Sequence, residues 1–144
     1  MKISVPRTLE EWNDRGRDYF PGHVGLEFLK VEPEEVIARY SIRKSLLSWN
    51  GFLHAGTVVT LADTCCGYGT LCALPEGADG FTTIDLSSNF VGTALDGDVE
   101  CTARPLHQGR TTQVWDAVVT SVKTGKAMAH FRCSQMILWP RARP

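Results

Sequence analysis

The stretch "LHAGTVVTLADTCCGYGTLCAL", residues 53–74, decides how this chain folds. It is apolar or small almost throughout, yet His54 opens it and a single carboxylate, Asp63, stands in its middle. Its length is borderline for a membrane span. Three glycines, four threonines and a central acid argue against lipid exposure, where a charged side chain is costly. The reading is a helix buried inside a soluble fold.

The rest of the composition agrees. The chain has 144 residues, 43% hydrophobic and 22% charged, with a net charge of −1. That is one ordinary globular domain, spanning 1–144, with enough chain to bury a core. The charge balance leaves no electrostatic footprint for nucleic acid, and the short basic end "PRARP" does not change this. The five cysteines are an odd number, and "MKISVPRTLEEW" carries no secretory signal. Free thiols in a reducing, cytoplasmic compartment are expected. Cys65, Cys66 and Cys72 lack zinc-ligand spacing and read as small core residues.

Outward from the central run, Thr8 with Glu11 three residues later predicts the start of a short helix, which "PGHVG" should end. In "VIARYSI" Val36, Ala38 and Tyr40 alternate with Ile37, Arg39 and Ser41, as in a half-buried strand. Beyond the helix, "PEGADG" is a turn and "FTTIDLSSNFVG" a strand. "ALDGD" then turns the chain into "VECTARPLHQG". "RTTQVWDAVVTSV" and "AMAHFRCSQMILW" flank the hairpin signal "KTGK". The class is α+β: one long helix against an antiparallel sheet, plus a short N-terminal helix.

Gly51 and Gly56 flank His54 in a loop that turns into the helix. The first amides there, Ala55 and Gly56 onward, lack intrahelical acceptors and sit at the positive end of the dipole. Such an end holds the oxygen of a polarised carbonyl. Asp63, buried among Leu61, Ala62 and Cys66, is desolvated, and so suited to act as base or nucleophile. Each residue also has an ordinary reading. A histidine before a helix often serves as a cap, and a lone buried acid is often paired.

"GFLHAGTVVTLADTCCGYG" resembles the pattern G-x-L-H-G-G-x-x-x-x-L-A-D-x-x-x-G of hotdog-fold acyl-CoA thioesterases of the phenylacetate-degradation type. The N-F strand end, the G-D-V turn, the G-R step and the strand after T-G-K extend the resemblance over about 25–138. The resemblance implies a hotdog fold, in which the sheet wraps the long helix. It implies acyl-CoA hydrolysis with no metal and no organic cofactor. It makes Asp63 the catalytic carboxylate, His54 the histidine near the thioester, and the Ala55 amide, with Gly56 beside it, the donor that polarises the carbonyl. Thr83 becomes a hydroxyl that orients water or the carboxylate. Ala55 replaces a motif glycine. Ser48 stands where Asn or Gln is usual, with Asn50 near it but out of register, and both are candidates for binding substrate.

Helix rise puts Ala55 and Asp63 about 12 Å apart, so one carbonyl carbon cannot meet both within one chain. If both act on the same carbonyl they come from different chains, with two antiparallel helices sharing each site, and the resemblance implies such a homo-oligomer, dimer or tetramer. For the coenzyme A phosphates Arg110 is the first candidate, ahead of Arg104, His107, Lys123 and Lys126. His23 and His130 read as structural. Trp49, Phe52, Tyr68 and Phe90 are candidates for an acyl pocket or for the core. Two alternatives stand beside hydrolysis: a hotdog hydratase or dehydratase, and a non-catalytic acyl-ligand-binding protein.

Overall fold

The first helix exists because Thr8 ends an extended segment with a hydroxyl placed to accept. In the computed structural model, which describes residues 3–140, α1 (Leu9–Gly16) is capped by Thr8 Oγ1, which accepts the Glu11 N–H at 3.2 Å. The Glu11 carboxylate in turn accepts the Arg7 N–H at 2.6 Å, so the capping expected from sequence is present. The basic run past Pro140 lies outside the described residues. "PGHVG" does not simply end α1. It forms a second helix, α2 (Phe20–Val24), with Pro21 in the first turn and Gly25 at φ 91° as its left-handed cap. Proline fits there because first-turn N–H groups have no intrahelical acceptor.

Six strands follow: β1 (Glu27–Glu32), β2 (Glu35–Ser41), β3 (Gly80–Phe90), β4 (Asp98–Gln108), β5 (Thr112–Ser121) and β6 (Ala127–Leu138). They form one antiparallel sheet in the order β1-β2-β4-β5-β6-β3. β1 was not expected. Its charges, Glu27, Lys30 and Glu32, mask its alternation, and charge on an edge strand guards against unwanted pairing. The β1–β2 turn also lacks the Gly or Asn signals that mark hairpins elsewhere in the chain.

The long helix is α3 (Ala55–Cys72), and it packs against all six strands. Val58, Leu61, Ala62, Cys65, Cys66 and Gly69 recur at helical spacing and are buried. Its threonines close on the helix itself: Thr60, Thr64 and Thr70 each donate to the carbonyl four residues back. Gly69 permits the closest approach. A Cβ there would lie 2.4 Å from Trp115 Cη2, and Trp115 of β5 is 0% exposed. Trp115 Nε1 donates to Gln113 Oε1 at 3.0 Å, and Gln113 Nε2 caps the helix by donating to Ala73 O at 3.0 Å. At the other end Tyr40 of β2 donates to Thr57 Oγ1 at 3.1 Å. Burial pushes the Tyr40 phenol up to about 12, so it remains a donor at any ordinary pH.

This is the α+β hotdog arrangement, with two short N-terminal helices where one was expected. Cys65, Cys66, Cys101 and Cys133 are buried free thiols, as read, while Cys72 is only half-buried. No helix among the described residues is long and apolar enough to cross a membrane.

Candidate active site

The site begins with the turn that leads into α3. Ser48 N–H donates to Phe52 O at 2.7 Å, and Gly51 N–H donates to Ser48 O at 2.9 Å with Gly51 at φ 88°. Asn50 Oδ1 accepts the Phe52 N–H at 3.2 Å, so the side-chain oxygen proposed for substrate belongs to the turn. Ser48 is half-buried at its base. The turn delivers His54 in extended geometry, φ −69° and ψ 128°, as the N-cap of α3.

His54 does here what the ordinary reading allowed: its Nδ1 accepts the Gly56 N–H at 2.8 Å. Accepting on Nδ1 places the neutral ring's proton on Nε2, which makes Nε2–H the group His54 offers to a ligand. The same bond removes the Gly56 amide from the expected pair of donors. Gly56 has a different use, because a Cβ on it would sit 2.8 Å from His54 Nδ1 and displace the ring. Ala55, at the first helical position, has no acceptor for its N–H among the described residues and is exposed.

Asp63 lies eight residues further along an unbroken α3, about 12 Å away by helix rise. It is half-buried rather than enclosed by Leu61, Ala62 and Cys66, which point into the sheet. One carboxylate oxygen, Oδ1, is nevertheless buried with no hydrogen-bond partner. Burial pushes its carboxyl up from the ordinary range, and the Thr83 hydroxyl works partly the other way. Thr83 ends the first part of β3 just before a bulge at Ile84, a common device for aiming a side chain. Its hydroxyl donates to Gln135 Oε1 at 2.8 Å. Sequence reasoning missed Gln135. The signal was available in "AMAHFRCSQMIL", where Gln135 falls in the inward phase with Phe131, Cys133 and Ile137.

The remaining candidates divide. Arg104 is paired with Glu35, and Lys123 with Asp96. Lys126 and His107 are exposed. Arg110 is held by an aromatic face, its guanidinium 4.3 Å from the Trp139 ring centroid, while Trp139 Nε1 donates to Arg110 O at 3.1 Å. Tyr68 belongs to the core, stacked on Phe28 at 4.5 Å and tilted against Trp12 at 5.1 Å. Trp49, at 99% exposure, and the exposed Phe52 and Phe90 are not core residues. His23 accepts from Arg43 through its carbonyl oxygen. His130 stands exposed on the outer sheet face, beside the Asp116–Arg132 ion pair. A hollow of about 410 Å³ there, lined by Ser87, Asp116 and His130, is away from both His54 and Asp63.

The chain belongs to the thioesterase superfamily, whose family model matches residues 50–128. It is similar to the 1,4-dihydroxy-2-naphthoyl-CoA hydrolase of Escherichia coli, 28% identical over 132 residues, covering 91% of this chain and 95% of the relative. Among solved structures it is similar to a thioesterase of Haemophilus influenzae at TM-score 0.84 and 26% identity, covering 96% and 95% of the two chains. A hypothetical thioesterase protein from Streptococcus pneumoniae, solved with coenzyme A, matches at TM-score 0.72 and 25% identity over 82% of this chain and 89% of that one. The protein is a thioester hydrolase.

Proposed function

We propose that the protein hydrolyses an acyl-CoA thioester at a site completed by a second copy of the chain. The observation that carries this reading is the separation, about 12 Å, between the unpaired Ala55 N–H and Asp63 on one rigid helix. Two antiparallel copies of α3 across a two-fold axis bring each helix start to the other's middle. β3 supports the same assembly. It is an 11-residue edge strand that leaves Ile84 at 54% and Phe90 at 48% exposure. A long, uncovered edge strand with exposed apolar side chains is what a partner strand or helix covers.

At such a site the Ala55 N–H and the His54 Nε2–H hold the thioester oxygen as negative charge develops on it. Asp63 either takes a proton from water, which attacks the carbonyl carbon, or attacks that carbon itself. The C–S bond then breaks, and the CoA sulfur leaves as thiolate and takes up a proton from Asp63 or water. Where Asp63 is the nucleophile, water next cleaves the acyl–Asp63 anhydride and frees the carboxylate. Water and the carboxylate suffice, with no metal or organic cofactor. Arg110, propped on Trp139, is the cation best placed to meet a CoA phosphate. Trp49 and Phe52, presented on the turn before α3, suit an aromatic acyl group. The naphthoyl-CoA relative acts on an acyl group of that kind. Five free thiols suit a cytoplasmic setting.

A panel of aromatic and medium-chain acyl-CoAs, read with a thiol reagent, tests the reading. Release of CoA is the expected result. Binding without CoA release would sink hydrolysis and return the non-catalytic acyl-binding alternative.

A further inference from the structure

Phe81 stands on the helix side of β3, yet helix and sheet leave it only half-buried. Its register partner on β6 is Ile137, and that of Thr83, two residues on, is Gln135. Both partners are buried, so alternation turns Phe81 and Thr83 toward α3. The ring of Phe81 rests on Gly67. A Cβ on Gly67 would lie 3.2 Å from Phe81 Cζ and 3.6 Å from Cε2. Glycine is a poor residue for a helix interior, and here its missing side chain is what lets the ring settle against α3. Gly67 follows Asp63 by four residues of the same unbroken helix, which puts the two on one face, about 6 Å apart.

The antiparallel helices of the shared site decide what lies over that turn. Where Ala55 of one copy is level with Asp63 of the other, a step forward along one α3 is a step back along its partner. Four residues past Asp63 is Gly67, and four residues before Ala55 is Gly51. The turn of the second copy that holds the partner's Trp49 and the partner's Phe52 is thus brought over Gly67 and Phe81. In the single chain these two aromatic residues are 99% and 51% exposed, so both are free to cover a ligand. A substituent on the reacting carbon that follows α3 away from Asp63 therefore enters a space with aromatic walls above and below. Such walls suit an acyl group better than the phosphates of CoA.

We propose that Phe81 is the end wall of the acyl pocket, a specificity-determining residue that favours flat aromatic acyl groups over long flexible chains. A ring fits between Phe81 and the partner's Phe52, at the spacing aromatic pairs prefer. A chain that reaches past one helix turn runs into the Phe81 ring. Gly67 sets the depth of this pocket. An alanine methyl there must push the ring outward to restore ordinary contact at about 3.5–4.0 Å, which makes the pocket shallower. The inference rests on the reading of Asp63 and the Ala55 amide as one site shared by two copies.

The test compares kcat/KM for 2-naphthoyl-CoA and benzoyl-CoA, flat acyl groups that differ by one ring, with dodecanoyl-CoA beside them. Phe81→Ala deepens the pocket. The ratios of 2-naphthoyl to benzoyl and of dodecanoyl to benzoyl should each rise about tenfold or more. Gly67→Ala lifts the ring, so the ratio of 2-naphthoyl to benzoyl should fall about tenfold. Damage to the fold lowers all substrates together and does not move one ratio in opposite directions. An unmoved ratio in either variant overturns the proposal, and so does a shift of the same sign in both. If Phe81→Ala does not fold, Phe81→Leu takes its place with the same expected sign, and Gly67→Ala is read independently. Wild-type hydrolysis with unmoved ratios sinks this inference alone. A wild type that releases no CoA from any acyl-CoA sinks the proposed hydrolysis, and the pocket with it.

Discussion

Asp63 is a carboxylate whose charged form the single chain disfavours. Burial raises it, and the Thr83 hydroxyl only partly offsets that. Residues of this kind trade stability for reactivity. Asp63→Asn keeps the shape and removes the base or nucleophile, so kcat should fall by roughly 10²-fold or more. The same variant should melt at or above the wild-type temperature at neutral pH. A raised folded pKa means that the ionised acid costs stability above that pKa, and the cost vanishes below the unfolded one. The gap in Tm between the two proteins should therefore close as pH falls through that window, which calorimetry across pH can measure. Hydrolysis at near wild-type rate by the Asn variant would make Asp63 structural.

At the scale of the element, α3 carries two kinds of glycine. At Gly67 an added Cβ meets Phe81 Cζ at 3.2 Å, and Phe81 is only half-buried and can give way. At Gly69 it meets three atoms of the Trp115 ring between 2.4 and 2.9 Å, and that ring is buried and tied to Gln113. Alanine gains about 1 kcal/mol of helix propensity at either position. Overpacking a rigid core costs about 1–3 kcal/mol, so steric conflict wins at Gly69 and propensity competes at Gly67. Urea unfolding should show Gly69→Ala clearly destabilised, with Gly67→Ala close to wild type. Equal losses at both positions would mean that Trp115 does not set the approach of helix to sheet.

At the scale of the whole molecule, the shared site makes a prediction that no single-chain site does. Ala55→Pro deletes the unpaired N–H at a position where proline is tolerated, and the extended geometry of His54 suits a residue before proline. Loss of one such donor should lower kcat by about 10²–10³. Asp63→Asn and Ala55→Pro should each be inactive alone. In a mixed dimer one site receives both lesions and the other receives neither. Equal amounts, randomly reassorted, should then recover roughly a quarter of wild-type sites. Background activity after remixing has been verified by mass tags would rule out the shared site.

The sequence by itself determined the long helix, five of the six strands before or after it by their alternation and turns, and the positions of His54, Ala55 and Asp63 along one rod. These are local properties, carried by periodicity, turn residues and a fixed rise per residue. It also placed Thr83 on the strand after the helix, because "FTTIDLSSNF" alternates. It hid β1, where edge charges cover the pattern, and α2, where Pro and Gly read as a stop. What only the tertiary structure decided were the partners of groups distant in sequence. Gln135 lies 52 residues from Thr83, and strand register alone brings them within a hydrogen bond. Asn50 and Gly56 looked available for substrate until the turn and the His54 ring claimed one group from each. Tyr68 looked equally fit for pocket or core until Phe28 and Trp12 closed on it. A side chain's type is written in the sequence, but a hydroxyl has one proton and an amide one N–H, and only packing decides where each goes.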